Sequence, residues 1–333
     1  MGGRRGLEAD LVRRAGLSFH ATPLRSLRDP DSRLAFARQA GALPLAALDA
    51  FGRLLPFRPA VCVTSGGFSA LPVVLAARAL RVPVYLWVGD AVPGRASRTI
   101  ARWAQRIGVA FADAAGELPQ GRTVLAGNPV LRSLLGWQRS AARASLALPD
   151  DTAVVLVSGG SQGSERVNEA VWDALPRLLG RALVVHLAGA AHLERATSRK
   201  LSLPGDLRDR YRPFAFLGEG MGAALASADI VVGRAGSSSI AEPLAFGLPL
   251  VLVPFWAALA GHQDANARAV ARLGAALVVD ERSLSGERLA AEILGLLDDP
   301  RRLERIRTAA RRAGRPRAAA EIAREVLALG RCA

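Results

Sequence analysis

VLVSGGSQGSERVNEAV, residues 155–171, decides the fold. Its apolar opening reads as a buried strand, which ends in Gly159-Gly160-Ser161-Gln162-Gly163 and passes directly into helical sequence. Strand, glycine turn and helix in that order open a βαβ unit. Glycines let the backbone approach a ligand, and the free N–H groups of a helix start attract an anion. The turn is therefore a candidate phosphate site. It also fits an ordinary helix entry with Ser161 or Ser164 as the cap.

The same rhythm extends in both directions. TAVVLVS (152–158), ALVVHLAG (182–189), DIVVG (229–233), PLVLVP (249–254) and AALVVD (275–280) are strands separated by helical sequence, and 285–329 is all helix. Upstream, AVCVT (60–64), PVYLWV (83–88), GVAFA and TVLAG alternate with glycine turns and with helices through Arg78 and over ASRTIARWAQRI (96–107). Near-continuous apolar strands alternating with helices predict parallel sheet covered on both faces. The pattern lapses between Ser133 and Asp151, so the expected division is an amino-terminal domain 1–135, a linker 136–150 and a carboxyl-terminal domain 151–333. The expected fold class is α/β, with two Rossmann-like domains facing a cleft and ligands beyond the carboxyl ends of the strands.

At 333 residues the chain suits two domains of roughly 150 residues each. Its two cysteines, Cys62 and Cys332, permit neither a disulfide framework nor a metal site, which fits a reducing compartment. The net charge of +15 calls for an anionic partner, but Lys200 is the only lysine and the arginines are scattered without interleaved aromatics. That argues against nucleic acid and suits anionic lipid. No signal segment follows Met1. The uncharged stretch 244–261 contains Gly247, Pro249 and Pro254, and reads as a buried strand between turns rather than a membrane span.

Two further segments carry chemistry. In RAGSSSIAEPLAFG (234–247), Ser239 and Glu242 lie three apart at a helix start. They fit a capping box, or a carboxylate that grips two ribose hydroxyls while the serines and turn amides hold a diphosphate. In GHQDANARAV (261–270), His262, Gln263 and Asn266 open a helix. They suit uncharged hydrogen bonding to hexose hydroxyls, or a solvated helix start.

GGSQG (159–163), FLGEGM (216–221), RAGSSSIAE (234–242) and HQDANA (262–267) together resemble the donor domain of MurG-type transferases. SGGFSALPVVLAA (65–77), DAVPGRASR (90–98), AGNPV (126–130) and GGRRGLEADLV (2–12) extend the resemblance through the first half, in order and with compatible spacing. It implies a GT-B glycosyltransferase moving GlcNAc from UDP-GlcNAc to undecaprenyl-pyrophosphoryl-MurNAc-pentapeptide, with no metal or cofactor required. It further implies peripheral attachment to the cytoplasmic face of the cell membrane.

By the same resemblance, Gly160, Ser161 and Gln162 face the donor diphosphate and sugar. The backbone of Leu217 reads uracil beside Phe216 and Met221. Arg234, Gly236, Ser237, Ser238 and Ser239 line the phosphate and ribose, and Glu242 takes the ribose hydroxyls. His262, Gln263 and Asn266 lie at the GlcNAc. Asn128 and Arg132 border the cleft.

This chain also departs from the family. WVGD (87–90) replaces HEQN, Ala70-Leu71-Pro72 replaces SGP, and Leu131 stands at the usual arginine of TGNPVR, with Arg132 one residue late. No GGTGGH loop or first strand precedes GGRRG, which reads as the end of a second strand. The expectation is that about 35 residues of a full domain would lie before it, judged from ordinary strand–loop–helix–strand length.

An inverting transfer needs a base, in-line geometry and stabilisation of the departing UDP. Of His20, His186, His192 and His262, the first and second fall in apolar strands; the candidate base is Asp90, the best-placed carboxylate at a loop over the cleft. Asp29 and Asp31 form a DxD at a predicted helix start, which speaks against metal–nucleotide binding. GALPLAALDAFGRLLPF (41–57), broken by Pro44 and Pro56, fits a core-facing helix or a membrane patch. Two alternatives to the leading reading remain: a related transferase with a different lipid acceptor, and a UDP-sugar-binding protein without transfer activity.

Overall fold

The computed structural model describes residues 1–3, 8–22, 33–160, 162–258 and 261–331. The chain forms two compact units, one comprising Met1–Ala126 with the stretch from Ala320, the other Gly127–Ala319.

In the first unit, β1 (Gly2–Gly3) pairs in parallel with β2 (Ala21–Thr22). A parallel sheet follows in the order β3 (Cys62–Thr64), β4 (Val84–Val88), β5 (Arg106–Val109) and β6 (Thr123–Leu125). Val84, Leu86, Val88, Ile107 and Val109 supply its core. The helix expected over 96–107 is shorter, Arg95–Ala101. Arg106 and Ile107 instead align with Tyr85 and Leu86 in β5, where the parallel ladder satisfies their backbone groups.

Pro44 and Pro56 do not break the helix Arg33–Phe57; both lie inside it. An interior proline costs roughly 3 kcal/mol, and here burial of one face offsets it. Ala46 and Ala50 are buried, and Leu43 and Leu54 pack on the first-unit core. The other face leaves Leu45, Leu48 and Leu55 exposed, Leu48 at 67%, and Phe57 is exposed where the helix ends. The Asp29–Asp31 pair lies outside the described residues.

The second unit is a six-stranded parallel sheet in the order β12-β11-β10-β7-β8-β9. Its strands are β7 (Ala153–Ser158), β8 (Ala182–Leu187), β9 (Tyr211–Phe214), β10 (Ile230–Gly233), β11 (Leu250–Leu252) and β12 (Ala276–Val278). Helices Glu165–Leu178 and Gly286–Leu297 pack together over one apolar core with Trp172, Leu175, Ile293 and Leu296. β9 has no forerunner in the sequence reading. It is YRPF, with a proline and no apolar run, and it sits at the sheet edge, where proline is tolerated.

The segment expected to be a linker, 136–150, holds the helix Arg139–Ser145 and lies within the second unit. Asp229 fixes it there. That carboxylate accepts from Arg139 Nη2 at 2.7 Å, from Arg143 Nη2 at 3.1 Å and from the Val154 backbone N–H at 2.9 Å. Arg143, almost fully buried, also donates to the carbonyls of Asp150 and Thr152. Residues tied down this way cannot act as a flexible connector. Of the carboxyl-terminal helices, Pro300–Ala313 stays with the second unit, while most of Ala318–Arg331 belongs to the first.

Candidate functional site

Because the second sheet is wholly parallel, the turns after its strands emerge along one edge. The strand order reverses at β7, with β8 and β9 on one side and β10 to β12 on the other. Open α/β sheets bind ligands at such a reversal, outside the carboxyl ends of the strands. The two turns flanking it are GGSQG after β7 and RAGSSS after β10, the pair singled out from sequence.

Gly160 and Gly163 take φ of +93° and +78°, backbone that suits glycine. A Cβ on Gly163 would lie 2.2 Å from the Ala188 carbonyl oxygen, so only glycine lets this turn rest on the end of β8. The helix begins at Glu165. Ser164 caps it by accepting from Val167 N–H at 3.5 Å. The helix-entry reading therefore holds for Ser164, and the first-turn amides still head the helix dipole. Gln162 is exposed, and Ser161 lies outside the described residues.

Beneath the turn is a closed polar network. Trp172 Nε1–H donates to the Tyr211 hydroxyl at 3.0 Å, which is 2.9 Å from His186 Nδ1. His186 Nε2 is 3.0 Å from Asn168 Oδ1, and Asn168 Nδ2 donates to the Ala188 carbonyl at 2.9 Å. Since the Asn168 amide nitrogen faces a carbonyl, its oxygen must accept, which puts the proton of a neutral imidazole on Nε2. Burial pushes the His186 pKa down to about 3, so it stays neutral. The network joins the first turn of the Glu165–Leu178 helix to β8 and β9.

The second turn enters the helix Ser237–Ala245, whose cap is Gly236, with no side-chain capping bond. Ser239 thus lies inside the helix and cannot form a capping box with Glu242. Glu242 is half-buried, and desolvation raises its carboxyl above the ordinary range. Ser237 Oγ accepts from Asn128 Nδ2 at 3.1 Å; Ser238 is exposed. Arg234 is buried, with its guanidinium on Glu281, on Ser164 Oγ at 2.6 Å and on the Val253 carbonyl at 3.2 Å.

After β11, His262 opens the helix His262–Arg272. Gln263 is half-buried, and its Oε1 accepts from Phe255 N–H at 3.0 Å. Asn266 is fully buried and donates to the Ala235 carbonyl at 3.1 Å. It therefore braces the RAGSSS turn from below, where the sequence reading has it facing the sugar. After β9, Phe216 is exposed and the Leu217 carbonyl accepts from Gly220 N–H at 2.8 Å. Met221, half-buried, starts the next helix.

Asp90 belongs to the first unit, half-buried in the turn after β4. The adjacent SGG turn follows β3 on the same edge. There Gly66 (φ +81°) rests on Ser97, whose Oγ would lie 2.3 Å from a Cβ at that position. Arg132 is exposed at the start of the short turn Arg132–Leu134 in the second unit. Glu281 escapes the sequence reading altogether. Its partner Arg234 lies 47 residues away, and no local spacing announces the pair.

Comparison with known proteins agrees with this arrangement. The family model for the glycosyltransferase family 28 C-terminal domain matches residues 154–322, and that for the N-terminal domain matches residues 1–109. The UDP-N-acetylglucosamine–N-acetylmuramyl-(pentapeptide) pyrophosphoryl-undecaprenol N-acetylglucosamine transferase of Desulforudis audaxviator is 36% identical, over 96% of this chain and 86% of its own. The protein of that name from Solidesulfovibrio magneticus is 37% identical, over 98% and 88%. Among solved structures, Acinetobacter baumannii MurG matches with a TM-score of 0.77 at 23% identity, covering 98% of this chain and 89% of that one. The calicheamicin glycosyltransferase CalG4 matches at 0.64 and 19%, covering 97% and 89%. Both share the fold of two parallel-sheet α/β domains. The chain belongs to glycosyltransferase family 28, as a MurG-type member with the GT-B architecture.

Proposed function

We propose that this chain is an inverting transferase that moves GlcNAc from UDP-GlcNAc onto undecaprenyl-pyrophosphoryl-MurNAc-pentapeptide in peptidoglycan synthesis. The observation that carries the reading is the pair of turns astride the strand-order reversal. One ends in a capped helix N-terminus, and the other carries serines and a half-buried carboxylate one helical turn on. A diphosphate suits the amides and hydroxyls, and Glu242 suits two vicinal hydroxyls. The relatives' names give the donor sugar and the lipid-linked acceptor.

In this reading the enzyme stabilises the departing UDP through the dipole and first-turn amides of the Glu165–Leu178 helix and through Ser237 and Ser239. Leu217 offers backbone groups to uracil, while Gln263 and His262 border the hexose. Asp90 takes the proton of the acceptor hydroxyl as it attacks the anomeric carbon. The replacement of HEQN by WVGD at 87–90 favours one second reading, a different lipid acceptor for the same donor.

The acceptor is lipid-borne, so the protein must reach a membrane surface. No helix among the described residues is long and apolar enough to cross one. Leu45, Leu48 and Leu55, exposed along one face of a helix near Arg53 and Arg58, are suited to lie in the interface of an anionic leaflet. The inner face of the cell membrane is the location this implies.

Calorimetry with UDP-GlcNAc and a turnover assay with the lipid-linked acceptor test the reading. Micromolar donor binding and release of UDP only with that acceptor are expected. No donor binding overturns the proposal. Donor binding with transfer only to another polyprenyl acceptor promotes the second reading.

A further inference from the structure

One buried ion pair joins four of the turns along the carboxyl edge of the second sheet. Arg234 follows β10 and Glu281 follows β12; they are 9% and 2% exposed. The Arg234 guanidinium donates to Glu281 Oε1, to Ser164 Oγ at 2.6 Å after β7 and to the Val253 carbonyl at 3.2 Å after β11. Its Cζ lies 5.3 Å from the centre of the Phe255 ring. The second carboxylate oxygen of Glu281 accepts from Trp256 N–H at 3.1 Å, and the Glu281 carbonyl accepts from Arg166 Nη2 at 3.4 Å.

Two features separate this pair from an anion contact and from a simple stabiliser. The charge of Arg234 is already matched by Glu281, and its fork is committed to three oxygens, so it brings little uncompensated charge to a phosphate. Buried ion pairs are also rarely the most stable filling for a core, because desolvation cancels much of their attraction and apolar residues of similar volume serve as well. What an apolar filling cannot reproduce is directional hydrogen bonding to Ser164 Oγ and Trp256 N–H, groups belonging to two turns that flank the donor site.

We propose that Arg234 and Glu281 are positioning residues for the donor diphosphate. The pair locks the Ser164 cap of the Glu165–Leu178 helix to the Val253–Trp256 backbone, so the anion-binding amides stand preset before ligand arrives. This rests on the donor-site reading above. It reassigns Arg234 from a group lining the phosphate to one that holds the turns lining it.

The test compares wild type with R234M/E281M, which replaces the pair by apolar side chains of similar volume, and with R234K and E281Q as milder variants. The expected result for the double variant is a melting temperature within a few degrees of wild type. Its UDP dissociation constant and donor KM should rise at least tenfold, while acceptor KM changes less than twofold. R234K, which keeps the charge without the fork, falls between. A folded double variant that binds UDP as wild type does overturns the proposal. Should the double variant not fold, unchanged UDP affinity in both R234K and E281Q overturns it equally. Amide hydrogen exchange over residues 162–168 and 253–258 separates the two levels of the argument. If wild type binds no UDP, the donor reading falls, and the lock is still decided by whether exchange in those segments speeds up or stays unchanged in the variants.

Discussion

The carboxyl edges of the two sheets are built differently. In the second unit, nearly every turn on that edge is tied to another by a buried polar side chain. Asn266 holds the Ala235 carbonyl, Asn128 holds Ser237, Arg234 and Glu281 join four turns, and His186 links the GGSQG helix to β8 and β9. In the first unit, the turn after β3 rests on a small residue, Ser97 against Gly66. On the Arg33–Phe57 helix, Leu45, Leu48 and Leu55 are left exposed. A soluble nucleotide-sugar with many polar groups rewards a preset polar frame, because each directional bond fixed in advance lowers the ordering cost of binding.

Four experiments put this difference to the test. The largest effect is expected in the first unit: Asp90→Asn should lower kcat by about 100- to 10,000-fold, the usual contribution of a general base, with UDP affinity unchanged. Steady-state kinetics beside calorimetry decide it, and equal losses in both would move Asp90 from chemistry to folding. On the framed side, Glu242→Gln removes the half-buried carboxylate proposed above to hydrogen-bond two ribose hydroxyls. Charged hydrogen bonds contribute about 1.5–3 kcal/mol, so donor KM should rise about 10- to 100-fold with acceptor KM little changed.

The third concerns pH. His186 is neutral when folded, with its pKa pushed down to about 3 from an ordinary 6.5. Below pH 6.5 the unfolded chain binds a proton that the native state refuses. Stability is therefore lost as pH falls, by about 1.4 kcal/mol per unit until the folded pKa is reached. Denaturant melts of wild type and His186→Gln should give slopes differing by one proton between pH 6 and 4; parallel slopes would contradict the buried neutral imidazole. The smallest effect on stability belongs to Leu48→Gln and Leu55→Gln. Both side chains are exposed, and the change should stay within about 0.5 kcal/mol. Binding to anionic liposomes should nonetheless weaken severalfold, and unchanged binding removes this helix from the membrane reading.

The contrast also explains what the sequence discloses. Buried strands such as AVVLVS and ALVVHL announce themselves because both faces of a parallel sheet are covered. YRPF does not, because an edge strand with Pro213 needs neither apolar continuity nor a full set of donors. The GGSQG and RAGSSS turns are legible because glycine and serine at a strand end have few other uses. The braces behind them are not. Asn266 looks like a sugar contact by residue type and turns out fully buried, and Glu281 has no neighbour in sequence that hints at Arg234. The segment 136–150 looks like a linker because the arginines that anchor it pair with Asp229, some 90 residues downstream.

The last helix carries a consequence for synthesis. Arg106 Nε and Nη2 grip the two Glu325 oxygens at 2.9 and 3.1 Å, and Gly330 lies against Ala60 and Val61, all within the first unit. On a translating ribosome the second unit can be complete while the first still lacks this contact. The amino-terminal β-sheet, although made first, is the part of the molecule that must wait longest for its final side chains.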